Sequence, residues 1–302
     1  MKISFCLIVH NEARTLRANL DHLYPHAHQI IVCEGAITLL RHQLDLSARS
    51  GDGTNDILDE YPDPERKLLV IRRDWETKDE MAAAYAVHAT GDLIWHVDAD
   101  EFYEDDCFGF VRGEFQDDPA LDTLEIPHRI FWKSPRYVLV DADGNDRWCL
   151  VPRVLRRAPG MSVSHIPVRR IINGKPDESN RRPPREARIL CWHYGWNDDA
   201  RVRAKLRIYS TRDQKTTRPG WIDSVWDRWW PDQPDEAWPD GVHPAKAVRA
   251  WPRPFTRPHP RCIAPILNRL DVLRHGGFTP SFSPEPSTSS GRTSSGLRSG
   301  HS

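Results

Sequence analysis

Three carboxylates close the segment GDLIWHVDADEF: Asp98, Asp100 and Glu101 follow the apolar residues Leu93, Ile94, Trp95 and Val97. Hard divalent cations such as Mg²⁺ and Mn²⁺ take oxygen ligands, often one or two carboxylates together with substrate phosphates. An Asp-x-Asp at the end of an apolar run therefore suits a clamp for a metal and a diphosphate. In such a clamp Asp98 and Asp100 would be the metal ligands. The plainer explanation of the same residues is a solvated acidic loop after a strand. Other polar groups stand at comparable places. His10, Asn11 and Glu12 follow the apolar run Ile3 to Val9, and Glu34 follows Gln29 to Cys33. A carboxylate such as Glu34 can accept hydrogen bonds from the imide of uracil or the amino groups of guanine. Gly51 and Gly53 flank Asp52, which suits a tight loop where backbone approaches a ligand. Lys78 can neutralise a phosphate.

The elements that must position these groups are legible from periodicity. ISFCLIV, QIIVC, KLLVI and LIWHV are apolar on both faces, as strands of a parallel sheet covered on both sides would be. Leu16, Leu20, Leu23 and Tyr24 make one apolar helix stripe. Lys78 to Ala89 is Ala-rich and helical, with Gly91 expected as its C-terminal cap. Strands alternating with helices predict an α/β fold with a mostly parallel sheet, whose carboxyl edge is where ligands bind. Thr54 reads as a helix N-cap as well as part of a binding loop. His22, His26 and His28 read as surface residues.

The chain of 302 residues is long enough for one large domain plus an extension. Its 42 Lys and Arg balance 43 Asp and Glu, so nothing in the charge demands nucleic acid or an anionic membrane as partner. No apolar run reaches the roughly 18 residues of a membrane-spanning helix. Six scattered cysteines without a CxxC pair suit reduced thiols, and a cytoplasmic location is expected.

Taken in order, His10-Asn11-Glu12, SGDGTND, the stretch opened by Lys78 and Glu80, and Asp98-Ala99-Asp100 resemble the motifs of family 2 glycosyltransferases. The resemblance covers about the first hundred residues and weakens after about residue 105. It implies a GT-A fold, a UDP- or GDP-sugar donor, a divalent metal (Mn²⁺ or Mg²⁺) and an inverting, hexosyltransferase-like reaction. His10, Asn11, Glu12, Glu34, Asp52, Lys78 and Asp98 would then contact the nucleotide. The insertion Ile37 to Ser50 separates Glu34 from the Asp-Gly-Thr segment, leaving open which of Glu34 and Asp52 reads the base. The family often supplies a late histidine to the metal, followed by a basic helix. His193, with Arg203, Lys205 and Arg207 after it, matches that order, and neutral imidazole is an acceptable ligand beside carboxylates. A structural histidine between Trp192 and Tyr194 is the alternative.

An inverting transfer needs a base for the acceptor hydroxyl. Asp198 and Asp199 are the candidates, with Glu178 and Glu186 also available, because the family's late Glu-Asp pair and its Gln-x-x-Arg-Trp segment are absent. LDTLEIPHRIFW and RWCLVPRVLRR have strand-like alternation and are expected as an antiparallel edge. Arg153, Arg156 and Arg157, with HIPVRRI, read as solvated strand faces or as a site for an anionic acceptor or the diphosphate. The catalytic domain is placed at residues 1–215, and a Trp/Pro-rich extension at 216–278. There the tryptophans are expected to anchor irregular chain, though stacking on acceptor sugars is the alternative. A short helix is expected from Pro265 to Arg274, and residues 279–302, rich in Ser and Gly, are expected to be disordered. The acceptor, whether glycan, lipid or protein, is not readable. A nucleotidyltransferase would also use Asp carboxylates and metal, but normally shows a Gly-rich loop after the first strand. A non-catalytic nucleotide-sugar-binding protein is the other alternative.

Overall fold

The computed structural model describes residues 1–165, 167–177, 179–212 and 217–275. The expected disordered tail and the candidate Glu178 lie outside the described residues. Along the chain run β1 (Ile3–Val9), α1 (Ala13–Leu23), β2 (Gln29–Glu34), α2 (Thr38–Leu44), α3 (Thr54–Asp59), β3 (Leu68–Arg72), α4 (Lys78–His88), β4 (Leu93–His96) and β5 (Glu101–Phe102). There follow α5 (Cys107–Asp117), β6 (Thr123–Trp132), β7 (Ser134–Val140), β8 (Cys149–Arg156), β9 (Ser162–His165), β10 (Val168–Ile172), β11 (Lys175–Asp177) and β12 (Arg181–Arg182). The last elements are β13 (Cys191–Trp196), α6 (Asp199–Arg212), β14 (Trp251–Pro254) and α7 (Val272–His275).

The architecture is α/β, with helices on both sides of a mixed sheet in the order β14-β7-β6-β8-β4-β1-β2-β3. β4, β1, β2 and β3 are mutually parallel, as their two-faced apolar pattern requires. Leu93 and Trp95 of β4 pack with Leu16, Leu20 and Phe108, whereas Ile94 packs with Met81 and Tyr85 of α4. This alternation buries Leu93, Ile94 and Trp95 against layers on opposite faces of the sheet. The middle strands extend the sheet antiparallel beyond β4, as expected, with β14 as the outermost strand. β8 pairs antiparallel with β4, and β6, β7 and β14 continue the sheet beyond it. β9, β10 and β11 form a separate small sheet packed on α4, with Val163 and Val168 against Met81.

Gly91 is not a helix cap. The helix ends at His88, and Ala89, in an extended conformation, takes the cap position. Gly91 instead lies against β1, where a Cβ would sit 2.7 Å from the Ser4 nitrogen and 2.9 Å from the Lys2 oxygen. Those are backbone atoms and cannot swing aside. Substituting Gly91→Ala should therefore cost about 1–3 kcal/mol through overpacking, read from urea denaturation. A variant as stable as the parent would show that β1 and the 90–92 turn can separate freely.

His22 is not on the surface. It is 6% exposed, packs against Phe102 and Phe108, and its Nε2 lies 3.4 Å from the Tyr103 nitrogen. It lies within α1 at a position that faces β5 and α5 rather than solvent.

The tryptophans of the C-terminal stretch are largely anchors. Trp221, Trp226 and Trp229 are at most 4% exposed and enclose Trp132 of β6, with edge contacts at 5.8, 5.1 and 6.1 Å. Trp230 differs, being 36% exposed. β14 pairs with β7 at the sheet edge, where Pro252 and Pro254 cost few ladder hydrogen bonds. The expected helix from Pro265 is a 3₁₀ segment, Arg261–Leu270, followed by α7. Pro265 and the short apolar repeat of Ile263, Ile266 and Leu270 suit the tighter turn.

Candidate active site

β1, β2 and β4 end side by side, and their polar extensions meet there. Asn11 has a left-handed backbone, φ 56°, which turns the chain from β1 into α1. Its Oδ1 accepts from Gly51 N at 3.0 Å, and its own N–H donates to Ser50 Oγ at 2.9 Å. Glu12 N donates to Thr54 Oγ1 at 2.7 Å, and Ala13 N to Asp52 Oδ2 at 3.0 Å. Asp52 Oδ1 also accepts from Thr54 N, holding the start of α3. The two polar loops, 10–13 and 50–54, are thus zipped together. Their residue types are explained by this pairing before any ligand is considered.

Glu34 is fully buried beneath them. Its Oε1 accepts from Ser50 N and Oγ, each at 2.8 Å, and Arg49 stands 3.8 Å from Oε2. Asp52 is exposed and Glu34 enclosed, so of the two only Asp52 reaches solvent directly. His10 stands beside both, with its ring 3.2 Å from the Ser47 oxygen. Burial lowers its pKa against the pull of that carbonyl and of Glu34 and Asp52. Lys78 opens α4 half-buried, close enough to Glu12 to favour its ionised form.

The loop after β4 carries the carboxylates, and β13 brings the distant histidine to it. β13 pairs antiparallel with β5, setting His193 opposite Glu101 and Trp192 opposite Phe102. His193 Nε2 lies 3.7 Å from Asp100 Oδ1. That Oδ1 and His193 Nδ1 are both buried without a hydrogen-bond partner, which is costly for groups otherwise satisfied in proteins. Gly195 leaves room for this approach. A Cβ there would meet His193 Nε2 at 2.5 Å and Asp100 Oδ2 at 2.9 Å. Burial lowers the His193 pKa to about 4, despite Asp100 and Glu101 nearby, so its ring is neutral near pH 7.

Two arginines complete the site, and sequence reasoning missed both roles. Arg201 Nη1 stands 2.9 Å from Asp100 Oδ2 and 2.6 Å from Glu12 Oε2. One guanidinium serves two carboxylates, so burial, with Asp100 and Asp98 adding, pushes the Glu12 carboxyl upward. Arg153 Nη2 reaches Asp98 Oδ2 at 3.0 Å and also bonds Glu101 Oε1. Burial alone would raise the Asp98 pKa, but Arg153 and His96 hold it well below the usual carboxylate range. The residues expected to make the basic helix point elsewhere. Arg203 pairs with Asp199 and Asp227, and Lys205 lies over the Trp196 ring. Arg201, in the first turn of α6 and bonded through its N–H to Asp198 Oδ1, is the member that enters the site. Arg156 and Arg157 bond backbone carbonyls instead. Thus Arg153, Arg156 and Arg157 form neither a solvated face nor one binding surface.

Asp198 also accepts from Arg14 Nη1 at 2.9 Å through Oδ2. Asp199 accepts from Arg203 and from the Trp226 indole, bonds that hold its pKa low against the effect of burial. Glu186 pairs with Arg188 in its loop. Glu101, His128 and Cys191 form a second buried group of potential metal ligands, with atoms all within 4.8 Å. Glu101 is already bonded there by Arg153 and by His128 Nε2 at 3.1 Å, so its charge is satisfied by protein. All six cysteines are free thiols. Among the described residues, no helix is long and apolar enough to cross a membrane.

Residues 47–170 match the model of a protein family described as Glycosyl transferase family 2. The match begins after β1 and ends before β13, so Glu12, His193 and Arg201 lie outside it. Among solved structures, the chain is similar to a mannosyltransferase from Pyrobaculum calidifontis in complex with GDP-Man and Mn²⁺, at 12% identity. That likeness covers 72% of this chain and 66% of the other, with a TM-score of 0.42. Glucosyl-3-phosphoglycerate synthase from Mycobacterium tuberculosis, with Mn²⁺, UDP and glucosyl-3-phosphoglycerate, matches at 15% identity over 42% of this chain and 44% of that one, with a TM-score of 0.32. TarS from S. aureus matches at 18% identity over 52% and 29%, with a TM-score of 0.35. The chain covers less than two thirds of each of these proteins. A search of curated proteins matched none of them.

Proposed function

The chain carries a family 2 glycosyltransferase segment, residues 47–170, and from that premise we propose a metal-assisted transfer of a sugar from a nucleotide-diphosphate donor to an acceptor hydroxyl. The observation that carries this reading is the Asp100–His193 pair. An unpartnered carboxylate oxygen and a neutral imidazole lie 3.7 Å apart, with a glycine clearing the space. This donor set fits Mn²⁺ or Mg²⁺, with Asp100 and His193 as ligands and Asp98 beside them. When bound, the cation stabilises the departing nucleotide diphosphate as a Lewis acid. Arg201 keeps Asp100 oriented, and Arg153 does the same for Asp98. His10, Asn11, Glu12, Asp52 and Lys78 line the nucleotide side, with Asp52 the exposed carboxylate for the base and Glu34 holding Ser50 beneath them. The reaction is read as inverting and hexosyltransferase-like, with a glycan, lipid or protein acceptor. The free thiols suit a reducing compartment such as the cytoplasm.

For the base, Asp198 is favoured over Asp199. Both border a cavity of about 710 Å³ shared with Arg14 and Trp230, with side chains 32% and 47% exposed. Asp199 is the weaker base because its bonds to Arg203 and the Trp226 indole hold its carboxyl below the usual range.

The test is ligand-dependent stabilisation of the full chain by UDP and GDP, in Mn²⁺ and in chelator. Carboxylates facing a diphosphate repel it unless a cation intervenes. At a hundred times its dissociation constant, the preferred nucleotide should stabilise by about 2.7 kcal/mol in Mn²⁺. That gain should largely vanish in chelator and in Asp100→Asn. Equal stabilisation in chelator, or an unaltered response in Asp100→Asn, sinks the metal clamp. In the same series Asp198→Asn should keep the Mn²⁺-dependent shift and lose turnover by about a hundredfold or more. Full turnover by that variant removes Asp198 as base.

A further inference from the structure

We propose that the cavity beside Asp198 is the acceptor subsite, and that it takes the terminal ring of an uncharged glycan seated on Trp230. This deepens the proposed transfer and rests on Asp198 as its base. The cavity measures about 710 Å³ and lies between the start of α6, the turn at 226–230 and the segment 269–273. Pockets of about 300–1,000 Å³ are of the size that encloses small-molecule ligands. Asp198 ties this one to the carboxylates after β4. Its Oδ1 accepts from the Arg201 N–H at 2.9 Å, and the Arg201 guanidinium reaches Asp100. A hydroxyl brought to Asp198 from the cavity therefore arrives beside the group that would hold the donor.

Three tryptophans reach the cavity wall, and one of them offers a face. Trp226 and Trp229 are buried with their rings against Trp132. Trp230 is 36% exposed, and among the described residues no ring or guanidinium stacks on it. Its position is fixed through the backbone, where its N–H donates to Gln233 Oε1 at 2.8 Å. A hexose ring has a face of C–H groups and a rim of hydroxyls, which suits a flat apolar surface flanked by polar groups.

The charge of the wall is balanced, with four cations and four carboxylates. Arg14 pairs with Asp198 at 2.9 Å, and Arg203 pairs with both Asp199 and Asp227. The Lys133 ammonium donates to the Trp226 carbonyl, and Arg269 and Asp271 add one charge of each sign. A phosphorylated acceptor would meet no net positive field here and would have to displace a carboxylate from its partner. Hydroxyls both donate and accept, so they can use the remaining lone pairs of the carboxylates and the remaining N–H groups of the arginines together. Asp198, Asp199 and Arg203 are partly exposed, which keeps those atoms within reach. Beyond the tryptophans, the apolar wall is only Ala200, Val272 and Leu273, too little to bury an acyl chain.

The test is calorimetric titration of the full chain with maltose, cellobiose, mannobiose and glucose 6-phosphate, with and without Mn²⁺ and the preferred nucleotide. At least one disaccharide should bind in the millimolar range, more tightly than glucose 6-phosphate. Trp230→Ala should weaken that binding at least tenfold, whereas Trp230→Phe, which keeps a flat ring, should stay within threefold. The Mn²⁺-dependent nucleotide shift should be the same in both variants, because Trp230 lies on the other side of Asp198. Failure of the donor reading is separately visible. No nucleotide response in Mn²⁺, with disaccharide binding and its dependence on Trp230 intact, strikes the donor and leaves the cavity a saccharide site. No disaccharide binding at tens of millimolar, tighter binding of glucose 6-phosphate, or parental affinity in Trp230→Ala overturns the proposal.

Discussion

Replacing Trp226 with alanine is expected to cost about 3–5 kcal/mol, the range for removing a large aromatic from a close-packed core. Trp226 is 1% exposed and meets Trp132 at 5.1 Å and Trp221 at 5.8 Å. Its indole N–H donates to Asp199 Oδ1 at 2.7 Å, and its backbone carbonyl accepts from the Lys133 ammonium. Burial pushes the Lys133 pKa down to about 8, so this ammonium sits where a charge is costly and depends on those carbonyls. Losing the ring opens a cavity between β6 and the irregular C-terminal stretch, and deprives Asp199 of a donor at the start of α6. The expected loss is a large part of a typical domain's 5–15 kcal/mol. Urea denaturation should show a lower midpoint with an unchanged slope. Trp230→Ala is the control, since that ring is 36% exposed and should cost well under 1 kcal/mol. A Trp226→Ala loss below 1 kcal/mol would mean that the stretch is not pinned by its tryptophans.

Acid should unfold the protein well above the range in which carboxylates titrate. Burial lowers His22 to about 4, opposed by Asp105. It lowers His243 to about 3, helped by Lys205 and Arg218, and His259 to about 4 against a backbone bond to Pro135. An unfolded histidine titrates near 6.5. The folded values lie below that, so between about pH 6.5 and 4 the unfolded chain binds protons that the folded chain refuses. Stability is therefore complete above about 6.5 and falls as pH drops towards 4. His165 and His193 are lowered in the same direction and Glu12, raised to about 8, opposes them, each proton contributing at most about 1.4 kcal/mol per pH unit to the slope. Denaturation at pH 7, 6 and 5 measures it directly. His243→Gln should reduce the slope by up to about 1.4 kcal/mol per pH unit. A flat profile between pH 7 and 5 would show that these rings are protonated in place.

Much of the sheet edge formed by β1, β2 and β4 was readable because it is local. Continuous apolar runs at Ile3–Val9 and Gln29–Glu34 mark strands covered on both faces, and each ends on polar residues that need the sheet edge. The order His10-Asn11-Glu12, Ser50 to Asp56, Lys78 and Asp98-Ala99-Asp100 follows the chain through those edges. Composition likewise separated the Trp/Pro-rich stretch, whose scarcity of aliphatics left tryptophan as the available anchor.

What only the tertiary structure decided are pairings between segments far apart in sequence. Arg153 is one of several arginines on an alternating strand, and only the pairing of β8 with β4 sets it against Asp98. Arg201 stands among similar residues on α6, yet the orientation of its first turn selects it over Arg203 and Lys205. Gly91 looked like a cap because a glycine after a helix commonly is one, while its actual constraint is the backbone of β1. His22 fits a polar helix position in sequence, and only the packing of α5 and β5 encloses it. The group around Asp146 behind β13 was invisible for the same reason. Arg129, Asp146, Arg257 and Trp192 come from separate segments, and their shared chemistry exists only where the sheet brings them together. Local periodicity reports the burial of a residue's own element, but not which distant charge that element will face.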